Sequence, residues 1–118
     1  MTRYMTVGCE LGWTDANAPT EERFEYVIVH NAEDIPEKKM RKRIGQWIEN
    51  VHKTNNPNVV CNKTYLVSTQ DADDKDDFVR RRLEFLGDFT MLDFASGEAI
   101  WFGRDGKTEE VTIANEIL

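Results

Sequence analysis

The sequence predicts an α+β fold, a two-layer sandwich in which a mainly antiparallel sheet carries two helices on one face. Three observations point to it. Several short stretches alternate apolar and polar residues or are rich in β-branched and aromatic side chains, as strands are. Two longer stretches repeat apolar residues at helical spacing. The stretches follow the order strand, strand, helix, strand, helix, strand, strand, strand, and a sheet covered by helices is the natural packing for that order.

Residues 4–11 place Met5, Val7, Cys9 and Leu11 on one side of a strand that Gly8 weakens. Residues 12–22 hold Asp15, Asn17 and Pro19 and read as a loop. Residues 23–30 are nearly continuously apolar, which suits a central strand buried on both faces. Asp34 is placed to cap a helix, with Pro36 in its first turn and Glu37 completing a capping box. Met40, Ile44, Trp47, Ile48 and Val51 then form an apolar stripe, which Asn55-Asn56-Pro57 ends. Residues 59–69 are a strand with a bulge or break at Asn62-Lys63.

Residues 71–77 open a second helix whose apolar side is Phe78, Val79, Leu83, Phe85 and Leu86, with Gly87 at its end. Strands at 89–94, 99–102 and 111–113 are separated by turns at Ser96-Gly97 and Asp105-Gly106. Residues 24–94 thus read β-α-β-α-β. With one more strand this becomes a ferredoxin-like sandwich, with extra C-terminal hairpin strands.

The 118 residues suit a single domain, 1–118, able to bury one core without staples. Hydrophobic residues make up 40% and charged residues 31%, a globular balance. The formal net charge of −7 arises mostly in the second half: residues 1–60 carry eight Lys/Arg and nine Asp/Glu, residues 61–118 seven and thirteen. Such a field repels nucleic acid unless a local basic patch wins. No apolar run is long enough to cross a bilayer, and the N-terminus lacks a secretory apolar region, so a cytoplasmic protein with no membrane partner is expected. Cys9 and Cys61 form no metal or redox motif and read as buried, reduced thiols. In that compartment the sequon Asn62-Lys63-Thr64 carries no sugar.

Lys38, Lys39, Arg41, Lys42 and Arg43 place five cations in six positions near a helix N-terminus, where the macrodipole disfavours positive charge. They read either as a solvated face balanced by Glu33, Asp34 and Glu37 or as a contact surface for phosphates or an acidic partner. Asp71, Asp73, Asp74, Asp76 and Asp77 invite a calcium loop, but Lys75, Asp76 and Arg82 stand where that loop needs a ligand, a glycine and a bidentate glutamate. Acids at a helix start followed by bases suit the dipole, and Asp77 to Arg81 is a favourable i,i+4 pair. Asp73 and Asp74 are the acids of this run that could face a partner.

His30, followed by Asn31, ends the apolar strand, where it could act as a general base assisted by Glu33 or Asp34, although packing is the commoner role. His52 is assigned no role. No HExxH, GxSxG, P-loop or GxGxxG pattern occurs. Trp13, Trp101 and Phe102 lie near turns. Because Trp101 and Phe102 point to opposite faces of one strand, one of them needs a second apolar surface, such as a dimer or partner contact.

Tyr26-Val27-Ile28-Val29, the helix through Ile44-Gly45-Gln46-Trp47-Ile48, Lys63-Thr64-Tyr65-Leu66-Val67-Ser68-Thr69, Asp77-Phe78-Val79-Arg80-Arg81-Arg82-Leu83 and Phe89-Thr90-Met91-Leu92-Asp93-Phe94 follow in that order. Over residues 24–102 this pattern resembles the small CRISPR-associated adaptation nucleases and the related virulence-associated protein D family. The resemblance implies a ferredoxin-like fold, dimers paired through their sheets and, in some members, cleavage of RNA or DNA with a metal held by an aspartate at the end of the first strand. His30-Asn31 stand at that position here, with Asp34 only later, which argues against cleavage.

The leading expectation is a non-catalytic interaction or regulatory module, of the kind a phage or mobile element carries as a regulator or inhibitor. It would be a homodimer offering the basic helix or the acidic second half to a protein partner, or the basic helix face to nucleic acid. Its binding residues would be Lys38, Lys39, Arg41, Lys42, Arg43, Asp73, Asp74 and Trp101, with no catalytic residue, metal or cofactor. The alternatives are a divergent metal-dependent nuclease with His30 and Asp34 near the metal, and an acidic nucleic-acid mimic.

Overall fold

The computed structural model describes residues 1–15, 18–54 and 57–111. Six strands form one mixed, mostly antiparallel sheet with two helices: β1 (Thr2–Asp15), β2 (Ala18–His30), α1 (Glu37–Lys53), β3 (Val59–Ala72), α2 (Lys75–Leu86), β4 (Phe89–Asp93), β5 (Ala99–Phe102) and β6 (Thr108–Val111). The spatial order is β3-β1-β2-β4-β5-β6. β1 is antiparallel to both β2 and β3, and β2 is parallel to β4. β2, β3 and β4 therefore point the same way, and their carboxyl ends, His30, Ala72 and Asp93, share one edge of the sheet.

This order decides where the helices go. The β2-α1-β3 connection crosses β1 in one direction, and β3-α2-β4 returns in the other. Crossovers between parallel strands are almost always right-handed, so two that run in opposite directions lie on opposite faces. The packing agrees. Met40, Ile44, Trp47 and Ile48 of α1 bury against Val7, Cys9, Leu11, Val27, Val29 and Leu92. Phe78 and Val79 of α2 bury against Tyr4, Ile28, Phe89 and Met91 on the alternate residues of the same strands. The expectation of both helices on one face is thus corrected: the sheet is a middle layer with a core on each side.

The same arrangement resolves the Trp101–Phe102 alternation. Phe102 joins the α2-side core, stacking on Phe89 at 5.5 Å, while Trp101 is half-buried on the other side. No partner surface is needed to account for Phe102.

Local differences from the sequence reading have simple causes. The loop expected at 12–22 is largely strand, because β1 and β2 form a long hairpin whose pairing continues to Asp15 and Ala18. The capping box does not form. Pro36 holds an extended ψ of 136° before the first helical residue, so α1 starts at Glu37 with no side-chain cap and Asp34 is exposed. Asn62 is the extra residue of a bulge, where pairing shifts between Glu10↔Lys63 and Leu11↔Cys61. Phe85 is 75% exposed and outside the apolar side of α2, where Arg82 is buried. Gly87 ends that helix with φ 81°. The side chain of Trp13, and Asn55, Asn56, Thr112 and Ile113, lie outside the described residues.

α1 packs close to the outer strand. A Cβ at Gly45 would lie 3.1 Å from Thr64 Cγ2 and 3.3 Å from Cys61 Sγ, so the absent side chain sets the approach. The helix also seals part of the free edge of β3. The Cys61 amide donates to Glu49 Oε2 at 2.9 Å, and Arg41 Nη1 donates to the Thr64 carbonyl at 3.0 Å. Trp47, 1% exposed, is among the largest buried side chains. Trp47→Ala is expected to cost about 3–5 kcal/mol of unfolding free energy, read from urea denaturation. A loss below about 1 kcal/mol would mean that α1 is not the main cover of its face.

Candidate functional site

A groove of about 800 Å³ lies between α1 and β3. It forms because α1 lies on the sheet beside an edge strand, so the outward side of the helix and the strand make two walls. Lys38, Lys39, Arg41 and Lys42 line one wall, and residues 61–64 line the other, with Lys63 adding a further cation. Arg41 is half-buried and neutralised by Glu37 at 2.8 Å. Glu49, the acid in the groove, is held below the usual carboxylate range by the Cys61 amide and by Lys53. Lys38, Lys39 and Lys42 are exposed and make no ion pair with any described residue. The groove is therefore electropositive in a chain whose net charge is negative.

Four of the eight expected binding residues meet in this groove. Arg43 does not: it borders a separate recess with Asn31, Asp34 and Phe94. Asp74 is the cap of α2, its Oδ1 accepting from the Asp77 amide at 3.1 Å, and exposed Asp73 lies 3.8 Å from the N-terminal amine. Asp74 thus serves the start of α2, and Asp77 pairs with Arg81 at 3.1 Å as its spacing requires. Trp101 lines a different cleft, of about 600 Å³, with Glu25, Asp88, Glu109 and Glu110. There His52 Nε2 sits 2.9 Å from Glu25 Oε2.

At the carboxyl edge of the sheet, His30 faces Asp93 across the parallel β2–β4 pair. Asn31, at φ 61°, donates from Nδ2 to Asp93 Oδ1 at 3.0 Å. The same oxygen accepts from the Ala95 and Ser96 amides. Burial pushes the Asp93 carboxyl up, but Asn31, the two amides and His30 outweigh it and hold it low. Asp93 thus closes the β4–β5 turn. Burial lowers the pKa of His30, whose ring also lies 5.6 Å from Tyr4. Lys75 lowers it further, against Asp93, Glu33 and Glu98. The recess at His30 is about 60 Å³, far below the size of a ligand site. Among the described residues no group of three or more His, Cys, Asp or Glu is placed to hold a metal ion.

Comparison with protein-family models, with curated proteins and with solved structures gives no match. The site therefore stands on its own geometry.

Three features lay outside the sequence reading. Lys63 belongs to the groove, which only the placement of β3 beside α1 reveals. Cys9 and Cys61, distant in sequence, stand on neighbouring strands with hydrogen-bonded thiols. That bond, then burial, pushes the Cys9 thiol up, while the same bond lowers Cys61. Arg82 is buried, and its place four residues after Phe78, on the apolar side of α2, is a signal that could have found it.

Two measurements check these assignments. Near neutral pH, iodoacetamide should label Cys61 well before Cys9 in the native protein, as read by peptide mass spectrometry. Equal rates would contradict the thiol pairing. The folded His30 pKa lies below its unfolded value of about 6.5, so the unfolded chain takes up the proton first. Its stabilising contribution is complete above that value and declines as pH falls through the window beneath it. His30→Phe should flatten the loss of stability between about pH 7 and 5 in urea denaturation, and an unchanged slope would remove His30 from the account.

Proposed function

We propose that the protein is a non-catalytic interaction module that binds a nucleic-acid phosphate backbone in the α1–β3 groove. The observation that carries this reading is the convergence of Lys38, Lys39 and Lys42 of α1 with Lys63 of β3 on one groove, all four exposed and in no ion pair with a described residue. The position of Lys38, Lys39 and Lys42 in the first turns of α1 runs against the helix macrodipole, so local helix energetics do not account for it. A regulatory role follows from binding alone and needs no reacting group. The His30–Asp93 pair does not compete as a reaction centre, because Asp93 Oδ1 is taken up by three donors and the adjoining recess is too small for a substrate. A ferredoxin-like kinship would set both helices on one face. Here they lie on two, so the binding role rests on the groove.

The test is fluorescence anisotropy with labelled oligonucleotides across a salt series. About four phosphate contacts on a single strand predict a slope of log affinity against log salt near −3. Replacing Lys38, Lys39 and Lys42 together by Glu should reduce affinity at low salt by about 100-fold or more and flatten the slope. Binding unaffected by that triple change, or absent for every nucleic acid at low salt, would overturn the reading and favour a protein partner.

A further inference from the structure

We propose that the α2-side face of the sheet, beside the groove, is a platform for the unpaired bases of a single-stranded nucleic acid, with Lys63 and Arg82 serving its phosphates. This rests on the groove reading and narrows it to a substrate class. α2 has 12 residues, about 18 Å of helix at about 1.5 Å per residue, whereas β1, with 14, spans about 46 Å at about 3.3 Å per residue, so the helix does not cover that face to its end. Beyond it stand Phe24, 47% exposed, with half-buried Tyr26 and Tyr65. The Phe24 ring is stacked with Tyr65 at 5.8 Å and 24°, and meets Tyr26 edge-on at 5.4 Å. Gly8, paired with both tyrosines, makes room: a Cβ there would lie 2.7 Å from Phe24 Cε1. The result is an aromatic cluster lying against the sheet, with ring surface open to solvent.

Two cations adjoin it. Lys63 borders the basic groove and also places Nζ 4.8 Å from the centre of the Tyr65 ring, so groove and platform meet around the β3 edge. Arg82 is 7% exposed, yet no described carboxylate lies within ion-pair distance of it. Its contacts are long donations from Nη2 to Thr6 Oγ1 at 3.3 Å and to Ser68 Oγ at 3.4 Å, and Nε has no partner. Thr6 is two residues from Gly8 on the same face. The exposed Phe85 ring lies 5.3 Å from the guanidinium and can swing aside without disturbing the core. A buried cation without a counter-charge is unfavourable unless an anion completes it.

Aromatic faces together with cations are what unpaired nucleotides need: bases stack on the rings whatever their sequence, and phosphates meet the charges. A duplex keeps its base faces inside and gains little from such a surface.

The test is anisotropy on the whole chain with dT and rU oligonucleotides of about 12 nucleotides and a duplex of equal length. Single strands should bind at least ten-fold more tightly than the duplex, and the dT and rU arms distinguish DNA from RNA. Phe24→Leu keeps the apolar bulk but removes the ring. It should weaken single-strand binding about ten-fold, leave duplex binding unchanged and preserve the salt slope, and Phe24→Trp should restore affinity. Arg82→Met should raise the melting temperature, because it removes the uncompensated buried charge, and yet weaken single-strand binding. Duplex binding as tight as single-strand binding, or an unaffected Phe24→Leu variant, overturns the platform while the groove stands. Loss of all binding on reversing the groove lysines, with single strands preferred beforehand, supports both. No binding of any nucleic acid at low salt removes both.

Discussion

The arrangement depends on one strand. β1 lies between β3 and β2, antiparallel to both, with buried side chains on each of its faces: Val7, Cys9 and Leu11 toward α1, Tyr4 and Thr6 toward α2. Each face must be removed from water, and the two crossovers supply one helix apiece. The covers are unequal. α1, with 17 residues, reaches the outer strand but leaves a cleft beside Trp101, and α2, with 12, leaves a margin around Phe24. Both helices are shorter than the strands beneath them, so each face keeps an open part, polar and acidic on one side and aromatic on the other.

Charge is distributed along the same division. Within residues 71–77, Asp74 starts α2, Asp77 pairs with Arg80 and Arg81, and Asp71 and Asp73 lie beside Arg3 and the N-terminal amine. Of the α1 cations, Arg41 is held by Glu37 and the β3 backbone and Lys53 by Glu49, whereas Lys38, Lys39 and Lys42 make no ion pair with any described residue. Most of the negative charge thus does local structural work or lines the cleft beside Trp101, and the lysines gather on one groove.

The periodic elements were legible in the sequence. The α1 stripe, the strand order along the chain, the bulge at Asn62 and the glycine end of α2 follow from spacing and turn chemistry. The faces on which the helices lie were not, because neighbour relations in a sheet are set by long-range pairing and leave no local trace. The Asp34 cap failed because Pro36, two residues further on, is extended and itself stands at the helix boundary. Of the groove, the α1 lysines could be read, but Lys63 could not, since its contribution depends on which strand lies under the helix. Arg82 was hidden within a run of three arginines, although only it stands three or four residues from each of Phe78, Val79 and Leu86. Phe24 and Tyr65 read as strand formers, which they are. Their exposure reflects how far α2 extends.

The hydrogen bonds from α1 to Cys61 and Thr64 also bear on how copies of this chain meet. An outer strand normally offers its whole length as a template for another strand, which is the usual route to unwanted association. Here the first half of that border is already occupied by a helix of the same molecule, and the bulge at Asn62 breaks its straightness. Only the later part, past Tyr65, remains as a border to which a neighbouring chain can be joined. Pairing along β3 is thereby confined to a short seam, itself interrupted by a register shift at Val67, while β6, the other outer strand, offers only four residues.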